Sequence, residues 1–113
     1  MKNYKILFVD DDPQILSMVE QFLSRCGFNV TTESSGQKAI EMVRENHFCV
    51  VFTDLNMPEI SGMELLRQIK AVSSETEVII VSGYGTIETA IQAMKLGSYD
   101  FLQKPIKDRK SVV

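Results

Sequence analysis

Phe48-Cys49-Val50-Val51-Phe52-Thr53-Asp54-Leu55-Asn56-Met57-Pro58 begins as an almost wholly apolar run, breaks off at a carboxylate and passes into a proline-bearing loop. Unbroken apolar character over residues 48–53 predicts a strand covered on both faces, the environment at the centre of a parallel sheet. The same pattern recurs on either side. Ile6-Leu7-Phe8-Val9 runs into Asp10-Asp11, Val78-Ile79-Ile80-Val81 into Ser82, and Phe101-Leu102-Gln103 into Lys104. Parallel strands of one sheet bring their ends to a common edge. Three carboxylates, a hydroxyl and an ammonium would then converge on one site.

The segments between these runs read as helices. Pro13 suits a first helical turn and Asp12 an N-cap, a better role for Asp12 than that of a metal ligand. Ile15, Val19, Phe22, Leu23 and Cys26 form a helical stripe that Gly27 ends. Residues 28–32 read as the second strand. Ser34 or Ser35 caps a helix to about Asn46, with Ala39, Ile40 and Val43 inward. The loop 54–62 carries Met57-Pro58 and Ser61-Gly62, and residues 63–71 form a helix with Leu66 and Ile69 as core candidates. After the strand 77–81, Gly83-Tyr84-Gly85 is a loop. Thr86 caps a helix striped by Ile87, Ala90, Ile91 and Met94, which Gly97 ends before the short strand 99–102. Four β-α steps and a fifth strand, with connections too long for hairpins, predict an α/β fold, a doubly wound parallel sheet with helices on both faces. Such sheets take ligands beyond the carboxyl ends of their strands, at a topological switch point.

A length of 113 residues sets one domain, and 44% hydrophobic with 24% charged residues is ordinary globular composition. The net charge of −3 and the lack of a basic run argue against direct nucleic-acid binding. No apolar stretch approaches the ~18 residues of a membrane span. Met1-Lys2-Asn3-Tyr4 leads straight into a strand with no signal-peptide core, so the expected location is cytoplasmic. Cys26 and Cys49 lack metal spacing and are expected as small core residues. His47 reads as a surface residue at a helix end, and Lys107, Arg109 and Lys110 as a solvated tail.

Charge argues the chemistry of the edge. Two carboxylates about 4 Å apart repel by roughly 4 kcal/mol at an effective dielectric of about 20, so three together need protons or a cation. An oxygen-rich set of this kind suits Mg²⁺ (or Mn²⁺), which keeps several waters and accepts carboxylates plus a phosphate. Asp54 can then attack phosphorus as a nucleophile. Lys104 can supply positive charge to the transferred oxygens, and Ser82 a hydrogen bond.

At these residues the chain resembles the receiver domains of bacterial two-component response regulators. Val9-Asp10-Asp11-Asp12-Pro13, Asp54-Leu55-Asn56-Met57-Pro58 with Ser61-Gly62, Ser82-Gly83 and Lys104-Pro105 occur in that family's order and spacing. The stretch from Ser82-Gly83-Tyr84-Gly85-Thr86 to Asp100-Phe101-Leu102 is further similar to receivers of NtrC-type regulators, in which an ATPase and a DNA-binding domain follow. The resemblance implies a flavodoxin-like (CheY-like) sheet of order 2-1-3-4-5. It implies Asp54 as phosphoacceptor, with Asp10, Asp11, Asp54 and the Asn56 backbone carbonyl as the metal set. Ser82 and Lys104 become phosphoryl contacts and Phe101 a switch aromatic, although Phe101 also reads as core filler. Lys104-Pro105 is expected as a cis-proline turn, and Asn56 and Tyr84 as tuners of hydrolysis rate. The implied partners are a sensor histidine kinase and an output domain or downstream protein; the implied output is transcriptional, and the domain is expected to be no enzyme beyond catalysing its own phosphorylation and dephosphorylation.

Receivers continue into a fifth helix after the Lys-Pro turn. Residues 106–113 show no amphipathic stripe and are too few for an independent helix, so residues 1–105 read as the receiver and 106–113 as a tail or truncated helix. Apolar surface around Phe8, Val51 and Leu102 is then expected to lie bare and to favour a homodimer. Two other readings of the acids exist. A haloacid-dehalogenase-type phosphatase expects Asp-x-Asp followed by a glycine-threonine-like loop, which residues 9–13 do not supply. A phosphorylation-independent module of receiver fold is usually marked by loss of an acid or the lysine, and here all are present.

Overall fold

The computed structural model describes residues 4–83 and 87–103. Among them strand and helix alternate strictly: β1 (Lys5–Val9), α1 (Pro13–Arg25), β2 (Asn29–Glu33), α2 (Gly36–Glu45), β3 (Val50–Asp54), α3 (Gly62–Val72), β4 (Glu77–Ser82), α4 (Ile87–Lys95) and β5 (Asp100–Gln103). All strand pairs are parallel and the order is β2-β1-β3-β4-β5, as expected. The chain winds from β1 to β2 on one side and then returns past β1 to β3. The switch point therefore lies between the ends of β1 and β3.

Local chemistry sets the helix ends. Asp12 accepts a 2.9 Å hydrogen bond from the Gln14 N–H, and Pro13 occupies the first turn of α1. Ser35 and Ser61 cap α2 and α3 by accepting from the Lys38 and Glu64 N–H groups. Gly27 (φ 92°) and Gly97 (φ 105°) follow α1 and α4 in the left-handed conformation that glycine tolerates.

The two faces of the sheet are covered unequally. Leu7, Val9, Val51, Val78 and Ile80 join Ala39, Ile40 and Val43 of α2, Leu65, Leu66 and Ile69 of α3, and Ala93 of α4 in one buried core. On the opposite face Phe8 stacks on Phe52 at 5.4 Å between ring centroids. There α1 buries Val19, whereas Phe22 is 58% exposed.

Several expectations change here. Val51 pairs with Leu7 and shares its face, so it cannot lie bare beside Phe8. Phe8 and Val51 are both buried, and only Leu102 of that trio is exposed. Cys26 is exposed and Cys49 half-buried. Cys26 is the C-cap of α1, where the chain turns off the sheet and leaves the covered stripe. Ile87, Ile91 and Met94 point outward along an open groove of about 550 Å³ shared with Phe101. The smaller Ala93 makes the core contact of α4 instead. A helix over the sheet's last strand has less sheet to cover than its stripe is wide. The expectations on Tyr84, Thr86, Lys104, Pro105 and the tail with its fifth helix lie outside the described residues.

Candidate functional site

β1 and β3 are neighbours, and Val9 stands opposite Thr53. Asp10, just past β1, and Asp54, the last residue of β3, therefore stand side by side. Asp10, Asp11 and Asp54 each present a carboxylate oxygen within 4.8 Å of the others. Asp10 is fully buried, Asp54 is 7% exposed and Asp11 is open to solvent. The Asp10 Oδ1 accepts from the Asp12 N–H at 2.9 Å, which fixes the turn between the acids and α1. Ser82, fully buried, ends β4 one residue past the partner of Asp54, Val81. Phe101 is half-buried against the core and pairs with Ile80. Asn56 is exposed on the loop after β3. The structure thus brings Asp10, Asp11 and Asp54 together at the switch point, with Ser82 on the adjacent strand.

The backbone at Asp54 is held from several sides. Thr53 Oγ1 donates to the Asp54 carbonyl at 3.1 Å, and the Leu55 N–H to Val81 at 3.1 Å. The Gly62 N–H donates to the Leu55 carbonyl at 2.7 Å. Gly62 presses so closely that a Cβ there would overlap the Asp54 carbonyl oxygen and lie 2.8 Å from the Leu55 Cα. The sequence marks Gly62 only as a turn glycine; the close approach needs the third dimension.

Three acids at this spacing, two of them buried, form a hard, all-oxygen donor set. That chemistry fits a small divalent cation, which relieves the mutual repulsion. A niche of about 190 Å³ opens beside Asp11, lined by Ser34, Ser35, Gly36, Met57, Pro58 and Glu59. Of these, sequence reasoning assigned Ser35 only a capping role and Glu59 none.

The family model of the response regulator receiver domain matches residues 6–112. The chain belongs to that family. This receiver is 39% identical over 104 residues to the transcriptional regulatory protein ZraR of Escherichia coli (strain K12), covering 92% of the chain and 24% of ZraR. The chain therefore spans about a quarter of that curated relative's length. Among solved structures, a receiver domain protein from Clostridium thermocellum superposes with a TM-score of 0.86 at 40% identity, covering 92% of this chain and 84% of that one. The beryllofluoride-activated NtrC4 receiver domain dimer gives 0.88 at 31% identity, covering 96% and 89%. The receiver is a module of two-component systems and is similar to NtrC-type regulators, as its motifs imply. These likenesses do not favour the phosphatase reading. Among the described residues no helix is long and apolar enough to cross a membrane.

Proposed function

We propose that this receiver takes a phosphoryl group from a histidine kinase onto Asp54 and thereby controls an output domain or downstream protein in the cytoplasm. The observation that carries this reading is the gathering of Asp10, Asp11 and the nearly buried Asp54 within 4.8 Å at the switch point. Mg²⁺ (or Mn²⁺), when held by Asp10, Asp11, Asp54 and the Asn56 carbonyl, supplies the positive charge that lets a phosphate approach a carboxylate. An Asp54 carboxylate oxygen bonds to phosphorus as the P–N bond of the phosphohistidine breaks, and the departing imidazole takes up a proton. Ser82 donates a hydrogen bond to a phosphoryl oxygen and Lys104 neutralises another. The drawing in of Ser82 and Lys104 biases Phe101 between exposed and buried arrangements. Water attack on phosphorus later returns the carboxylate and releases inorganic phosphate. Asn56 orients that water and Tyr84 obstructs it, so Asn56→Ala slows the loss and Tyr84→Ala speeds it.

Intact mass after incubation with acetyl phosphate and Mg²⁺ tests the reading. A gain of about 80 Da that Asp54→Asn abolishes is the expected result. An unchanged wild-type mass overturns it and leaves a phosphorylation-independent module. ZraR is a transcriptional regulatory protein; a transcriptional output is the corresponding proposal for this receiver. A homodimer is the proposed assembly, in line with the dimeric NtrC4 receiver.

A further inference from the structure

The two sides of the proposed metal set hang on different elements. Asp10 and Asp11 follow β1, whereas the Asn56 carbonyl belongs to the loop 55–61. A chain of hydrogen bonds joins the two around the outside of the site. The Asp10 N–H donates to the Glu33 carbonyl at 3.1 Å. The Glu33 carboxylate accepts from the N–H groups of Ser34 (3.1 Å) and Ser35 (3.0 Å). The Ser35 hydroxyl donates to the Glu59 carboxylate at 3.0 Å. Because the same oxygen accepts from the Lys38 N–H at 3.3 Å, its only proton is left for Glu59. Beside this bond Ile60 seats on Gly36, where a Cβ would overlap the Ile60 Cγ2.

The loop is thus pinned at both ends. Leu55 is bonded to β4 through Val81, and Glu59 with Ile60 rests on the start of α2. Asn56, Met57 and Pro58 bridge the interval.

We infer that Glu33, Ser35 and Glu59 form a clamp that sets the distance between the Asn56 carbonyl and the Asp10-Asp11 pair, and so selects a small cation over a large one. The inference rests on the metal reading proposed above. The three are positioning residues, and none touches the ion. Mg²⁺ demands near-octahedral oxygens at about 2.0–2.1 Å, whereas Ca²⁺ accepts a looser shell at about 2.3–2.6 Å. A pinned carbonyl favours the first, and a released one admits the second.

The test compares Mg²⁺ and Ca²⁺ affinities by calorimetry in the full chain, in Glu59→Ala and in Glu59→Gln. Glu59 is exposed, so neither change opens the core. Alanine removes the acceptor and the charge, while glutamine keeps the acceptor and removes only the charge. Glu59→Ala is expected to weaken Mg²⁺ about two- to fivefold, the scale of one exposed hydrogen bond, and to leave Ca²⁺ unweakened. Without metal, amide exchange over residues 55–61 rises in Glu59→Ala alone. Glu59→Gln keeps the wild-type ratio of affinities. If both variants weaken both ions equally, the effect is long-range charge and the clamp is overturned. An unchanged ratio in Glu59→Ala overturns it as well. Wild-type protein that binds neither ion overturns the metal reading and the clamp with it, a failure visible before any substitution.

Discussion

The two edges of the sheet treat polar groups in opposite ways. Where the strands begin, donors meet acceptors. Buried Thr76 donates to the Phe48 carbonyl at 2.8 Å and accepts from Ser73 at 2.8 Å. Lys70 Nζ donates to the carbonyls of Ser74 (3.1 Å) and Thr76 (2.9 Å) and pairs with Glu77 at 3.8 Å. Where the strands end, Asp10, Asp11 and Asp54 crowd like charges together. The first edge is finished by the chain's own groups. The second gathers three carboxylates, a set compatible with a divalent cation, as sites that trade stability for function do.

The largest expected effect is at the charged edge. Gly62→Ala must push the Asp54 backbone away, at about 1–3 kcal/mol, and should lower phosphorylation by acetyl phosphate as well. Denaturant melts and intact mass check both; an unchanged midpoint would show that the Asp54 segment yields freely. Thr76→Val, at the matched edge, deprives the Phe48 carbonyl of its donor and should cost about 1–2 kcal/mol. That loss should be the same with and without Mg²⁺. A loss that depends on the ion would couple the two edges and break the contrast.

Mg²⁺ itself should stabilise the wild type by about 1.4 kcal/mol at tenfold excess over its dissociation constant. Asp11→Ala should remove most of the gain, read as the shift in thermal midpoint. A midpoint unmoved by saturating Mg²⁺ would count against the charged edge as a cation site. The smallest effect belongs to neither edge. On α3 the Arg67 guanidinium, first by its hydrogen bonds, holds the exposed Glu64 carboxyl below its ordinary value of 4.5. A depressed carboxyl stabilises above its unfolded pKa and loses that contribution as pH falls through the folded one. Glu64→Gln should therefore cost a little at neutral pH and progressively less as pH falls below the ordinary carboxyl range, and melts across that range follow the loss.

Periodicity and punctuation carried much of this architecture. Apolar runs marked β1, β3 and β4, and Asp12, Ser35, Gly27 and Gly97 marked helix ends, because strand propensity and capping act over a few residues. The acids were legible because each follows such a run. Helix sidedness was less legible. Val19 is buried but Phe22 in the same stripe is not, and Ala93 displaces its larger neighbours from the core contact.

From the residues alone came the order of elements, their ends and the chemical groups brought to one edge, since these depend on local pattern and on the rule that parallel strands share an edge. Folding in three dimensions decided the rest. The register set Val51 beside Leu7 and opposite in sense to Phe8. The approach of Gly62 to Asp54, the seat of Ile60 on Gly36 and the bond from Ser35 to Glu59 join residues on separate elements. Such contacts depend on how packed layers meet, and no spacing along the chain encodes where two layers touch.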